Sequence, residues 1–226
     1  MKVKNIERQL ASFKAWLSEQ ESYPELYKYE NLANFRAHWD IEATDFYEMF
    51  DAAFKSQISN SLWGGSVNSA KSVMLTFIKN NKTYVRSMFR DLYNEDKDLG
   101  LRINRFSLHC DEMMDQLPDN KLKPVEHKHN PRILSVYLAF HDPSQYTIID
   151  YHAFRRMLER LENNAIPQEF EMERLFKLAR ALYKMMVRDA ELITLHKKLV
   201  GEEWHRDADM LIVHDFIMLH KQYKTY

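Results

Sequence analysis

Apolar residues in this chain recur at intervals of three and four, and no segment alternates convincingly at period two. Ile6, Leu10, Phe13 and Leu17 share one face of a helix of 3.6 residues per turn, and the same spacing returns throughout. Tyr27, Leu32, Phe35 and Trp39 form a second stripe, and Phe46, Tyr47, Phe50, Phe54 and Ile58 a third. Further stripes run through Val73 to Ile78, Tyr84 to Leu92, Leu99 to Met113, and Ile133 to Phe140. Beyond these, Phe154, Met157, Leu158 and Leu161 precede a long helix expected from about Pro167 to Arg188, and two more carry Leu192 to Leu199 and Leu211 to Leu219. Only four glycines and six prolines are present, too few turn residues for a sheet protein. The pattern predicts an all-α fold of about ten helices, one compact module over residues 1–226. Pro118 to Pro131 holds three prolines and no periodicity, so it marks either a solvated connection or a break between two helical subdomains.

Local signals refine these boundaries. Pro24 suits the first turn of the second helix, Thr44 is a candidate N-cap for the third, and Asn68 for the fourth. "LWGGS", Leu62 to Ser66, is expected to end a helix, with positive φ at Gly64 or Gly65.

The net charge of −1 excludes a strong global field, so an anionic partner must be met by a local patch. Cys110, the lone cysteine, cannot form an internal disulfide and fits a reducing compartment. No apolar run approaches the roughly 18–20 residues that span a bilayer, and the start reads as helix rather than as a signal peptide. A cytoplasmic location is expected, with no membrane partner.

Several chemistries lack their residues. No glycine-rich loop precedes a Lys-Ser/Thr pair, so no P-loop is present. Glu202 and His205 make one Glu-x-x-His, where a di-iron bundle needs two. His214-Asp215 resembles the paired ligands of metal-dependent phosphohydrolases, but the set is incomplete, and both residues read as polar positions on a helix face. His127 and His129 can ligate a metal, yet two histidines in a loop are a weak signal alone. Beside Lys121, Lys123, Lys128 and Arg132 they read as part of a basic loop. No cofactor or metal is expected.

Two stretches are candidates for function. In "FHDPSQYTIIDYHAF", Asp142-Pro143 favours a turn and Asp150 stands where an N-cap belongs, accepting from the backbone of His152 or Ala153. The alternative makes Asp150, Tyr151 and His152 an acid/base site of a glycosylase-like or nucleotide-processing enzyme, which would need a base-sized pocket beside them. The second stretch holds Arg174, Lys177, Arg180, Lys184 and Arg188, which fall within about 120° of one another around a helix. No acid interrupts that stripe. It is either a solvated face with dipole-compatible charges or a track for phosphates, to which Lys128 and Arg132 are candidate additions. Lys79, Lys82, Arg86 and Arg90 offer a second basic run that could widen it.

Five segments add a resemblance: "LANFRAHWDIEATDFYEMFDAAF", "LWGGSVNSAKSVMLTFI", "VRSMFRDLYNEDKDLGLRINRFSLHCDEM", "YLAFHDPSQYTIIDYHAF" and "MLIVHDFI". Together, from about Leu32 to Phe216, they resemble the N-terminal region of bacterial McrB-type AAA+ restriction ATPases. The resemblance implies a non-catalytic helical recognition or regulatory module of an anti-phage restriction system, binding DNA or a protein partner. The motor that accompanies such modules is absent here. A fragment, or a free-standing relative served by a separate AAA+ motor or nuclease, is therefore expected. The resemblance assigns no catalytic residue.

Overall fold

The computed structural model describes residues 2–23, 25–55, 62, 69–119, 123–204 and 209–222. Among them are ten α-helices and no strand: α1 (Val3–Glu19), α2 (Tyr27–His38), α3 (Phe46–Ala53), α4 (Ala70–Leu92), α5 (Leu99–Gln116), α6 (Pro131–His141), α7 (Tyr151–Arg160), α8 (Met172–Met186), α9 (Ala190–Val200) and α10 (Leu211–Gln222). None is long and apolar enough to cross a membrane. Pro24, Ile58, Trp63 to Asn68, Lys121 and His205 lie outside the described residues, and with them the expected glycine corner.

The chain divides into two units, one of residues 30–141 and one of residues 1–29 with 142–226. The boundaries fall inside α2 and directly after α6. Residues 118–131, expected as the break if there were one, lie within the first of these units.

The 30–141 unit is organised by aromatic side chains. Every residue from Ile133 to Phe140 is buried, so α6 is apolar all round and central to its unit. Tyr137 packs its ring against Phe50, Phe54, Phe89 and Phe106, with centroids 5.1–6.5 Å apart. Trp39 meets Phe35, Phe46, Phe50, Phe54 and Phe89 edge-on or stacked. Each such ring taken out of water stabilises the unit by about 1.5–3 kcal/mol. The entry to α6 is local chemistry. Asn130 accepts the Ile133 N–H at 3.1 Å, and Pro131 takes the first helical position, where no N–H is needed.

Two expected boundaries move. Asp45, not Thr44, caps α3, because its carboxylate reaches the Glu48 N–H at 3.1 Å. Ser69 caps α4 through the Ser72 N–H. The two helices expected between Ala70 and Leu92 are present within α4 and meet at Asn81, whose φ of −153° and ψ of 81° break the spiral between them. Its side chain accepts from the Tyr84 N–H and so caps the second half.

In the other unit, α10 packs on α7 and α8, and α1 packs on α9 and α10. Ile6, Leu10, Phe13 and Leu17 are all buried. Leu211 through Ile217 are buried without exception, so His214 and Asp215 of α10 lie inside. The helix expected from Pro167 to Arg188 is shorter, Met172–Met186. Glu171 ends the preceding turn, accepting the Gln168 N–H with its side chain, and Arg188 closes a turn onto Met185.

Candidate functional site

Four of the five stripe residues lie on α8, and Arg188 follows its last turn. Met172, Leu175, Phe176, Ala179, Leu182 and Met186 bury the opposite face, which leaves the cations outward. Their individual situations differ. Arg174 pairs with Glu171 at 3.2 Å, and Arg180 donates to the Gln145 carbonyl at 3.2 Å. Lys177, Lys184 and Arg188 are exposed, and among the described residues none of the three has an ion-pair partner. Arg188 also lines a groove of about 520 Å³ together with Lys14 of α1, whose charge is matched by Asp189 and Glu191.

Most of the other basic candidates are engaged by neighbouring groups. Lys128 pairs with Glu126, and Arg132 donates to the Leu62 carbonyl at 2.7 Å. Lys79 lies over the Tyr47 ring and Arg86 over the Phe46 ring, at 4.6 and 5.0 Å from the centroids. Arg90 is paired with Glu42 at 2.6 Å. Lys79, Arg86 and Arg90 therefore tie α4 to α3 and to the turn before it, while Lys82, the fourth residue of that run, is exposed.

Asp150 caps α7 by accepting the Ala153 N–H at 3.0 Å, while the His152 side chain faces solvent. Asp142 holds the preceding turn through the Ser144 N–H and hydroxyl. The polar residues of this stretch thus hold the turn that follows Asp142 and cap α7.

Sequence patterning missed the most buried charge. Lys28 and Asp215 form an ion pair with the side chains 0% and 1% exposed. The Lys28 ammonium also donates to His214 Nδ1 at 2.8 Å and approaches Glu25 at 3.3 Å. Asp215 Oδ2 accepts from the Tyr29 hydroxyl at 2.6 Å and from His196 Nε2 at 2.9 Å. Burial alone would raise the Asp215 carboxyl, but the Lys28 charge and the His196 hydrogen bond outweigh it and hold it below the usual carboxylate range. His214-Asp215, expected as polar positions on a helix face, is therefore the centre of a desolvated network. Charge type alone argued for exposure, and only a long-range fold could supply the lysine.

A second cluster lies in the 30–141 unit. Cys110 Sγ and one ring nitrogen each of His127 and His129 lie within 4.8 Å of one another, a donor set able to hold a metal ion. Burial pushes the Cys110 thiol up and lowers His129 to about 3, so the thiol and that imidazole are both neutral at ordinary pH. The spacing of the two histidines pointed to them as ligands, but nothing pointed to the cysteine, which lies seventeen residues before His127 on the buried stripe of α5.

No family model matches the chain, and comparison with curated proteins and with solved structures finds no significant match.

Proposed function

We propose that this chain is a non-catalytic helical recognition module that meets nucleic acid along the outer face of α8. Lys177, Lys184 and Arg188 are exposed there without ion-pair partners among the described residues, and this observation carries the reading. In a chain of net charge −1, such a local excess is what a phosphate backbone can use. Each neutralised phosphate releases counterions, so affinity falls steeply with salt. Contacts of this kind position a duplex without reading its bases. The setting, a McrB-like anti-phage restriction system with a separate AAA+ motor or nuclease, follows from the resemblance of the five segments. No observation favours acid/base use of Asp150, Tyr151 and His152.

The test is duplex DNA binding by the wild type and by Lys177→Glu/Lys184→Glu at two salt concentrations. Both lysines are exposed and have no ion-pair partner among the described residues, so the variant should keep the wild-type circular dichroism spectrum. Binding should be lost or strongly weakened, and removing a single contacting lysine should reduce the log–log salt slope by about one unit. Equal binding by the two proteins, or none by the wild type at low salt, would sink the reading.

A further inference from the structure

We propose that Cys110, His127 and His129 bind a divalent cation of the zinc class, which ties the connection before α6 onto α5. The geometry is the first support: three donor atoms of the types such an ion prefers lie within 4.8 Å of one another, drawn from a helix and from a loop. The second support is independent of the cysteine. His129 is 2% exposed, and its buried Nδ1 has no hydrogen-bond partner among the described residues. Its other nitrogen, Nε2, lies 3.1 Å from the Tyr137 hydroxyl. Donation from Nε2–H to Tyr137 leaves the Nδ1 lone pair for a ligand. A metal-bound imidazole held in its tautomer by an outer partner has this arrangement.

His127 is the adjustable third member. Its Nδ1 accepts the His129 N–H at 2.9 Å, and its Nε2 is 3.3 Å from Asp111 Oδ1. The ion would replace one of these two contacts. Half-buried, His127 also lines a cavity of about 490 Å³ with Asp111, Met114, Asp115, Lys123 and Glu126. That cavity is an entry path, and water or Asp111 can supply the fourth ligand from it. Binding releases the Cys110 thiol proton to solvent and needs no oxidant. One thiolate with two imidazoles selects zinc or cobalt over magnesium or calcium, which prefer oxygen.

The experiment titrates the chelator-treated full chain with Co²⁺ and then displaces it with Zn²⁺. One equivalent of Co²⁺ should produce a thiolate-to-cobalt charge-transfer absorption, lost in Cys110→Ser. Zn²⁺, but not Mg²⁺, should raise the melting temperature. His127→Gln, on the half-buried side of the site, should keep its circular dichroism spectrum and bind zinc at least about tenfold more weakly. If Cys110→Ser fails to fold, the wild-type absorption and the His127→Gln affinity still decide. Absence of the charge-transfer band at one equivalent, or unchanged zinc affinity in His127→Gln, would overturn the proposal.

Discussion

Lys28, in the first turn of α2, and Asp215, in the middle of α10, hold opposite charges in contact where neither side chain reaches solvent. Removing one partner strands the other without water. Asp215→Asn should cost roughly 3–5 kcal/mol in urea denaturation at neutral pH. Lys28→Met/Asp215→Leu should be less destabilised than the sum of its single changes. The pH dependence has a definite sign. Asp215 is depressed in the folded state, so its contribution is present above the unfolded value of about 3.9 and is lost as pH falls through the lower folded one. The gap between wild type and Asp215→Asn should therefore narrow below about pH 4.

Asp150 provides a milder test. Asp150→Ala should lower stability by about 1 kcal/mol, the usual size of a lost N-cap. Asp150→Asn keeps an acceptor for the Ala153 N–H and should stay within about 0.5 kcal/mol of wild type. Thermal melts of the two variants check both.

Arg102 is buried on α5 and donates to the Leu92 carbonyl at 2.7 Å and to both carboxylate oxygens of Glu95, at 2.7 and 3.0 Å. A lysine cannot reproduce that fork. Arg102→Lys should cost about 1–3 kcal/mol despite its conserved charge, measured by denaturant midpoint.

Gly201 ends α9 at a φ of +95°, and a Cβ there would meet the Glu203 carboxylate at 2.8 Å. Gly201→Ala should destabilise by about 1–3 kcal/mol, because a positive φ with an extended ψ of 141° is a region that essentially only glycine visits. Most of that loss should persist in a Glu203→Ala background, because the backbone conformation, unlike the flexible carboxylate, cannot yield. Recovery of full stability there would assign the effect to the side-chain clash instead.

The helices were legible in the sequence because burial follows the 3.6-residue period: Ile6, Leu10, Phe13 and Leu17 became the buried face of α1 without alteration. Asp150 was legible as the cap of α7 outright, whereas the cap of α3 was legible only to within a residue, since Thr44 and Asp45 offer the same oxygen acceptor and backbone geometry chooses between them. Lys28 and Arg102 were illegible. Their residue types argue for the surface, and the groups that compensate them depend on how the chain folds back. The α8 stripe was read correctly as a face, but Arg174, Arg180 and Arg132 could not be seen to be engaged by Glu171 and by the carbonyls of Gln145 and Leu62.

The unit that contains Lys28 is discontinuous, with residues 30–141 threaded between its two parts. A ribosome delivers Lys28 early and Asp215 only after the whole intervening unit has left the exit tunnel. The 30–141 unit thus has every one of its residues available while the lysine still waits for its counter-charge. At that stage Lys28 keeps its hydration, because the carboxylate that offsets burial has not been made. Closure of the discontinuous unit therefore waits for α10, because the carboxylate that Lys28 pairs with is among the last residues of that unit to be made.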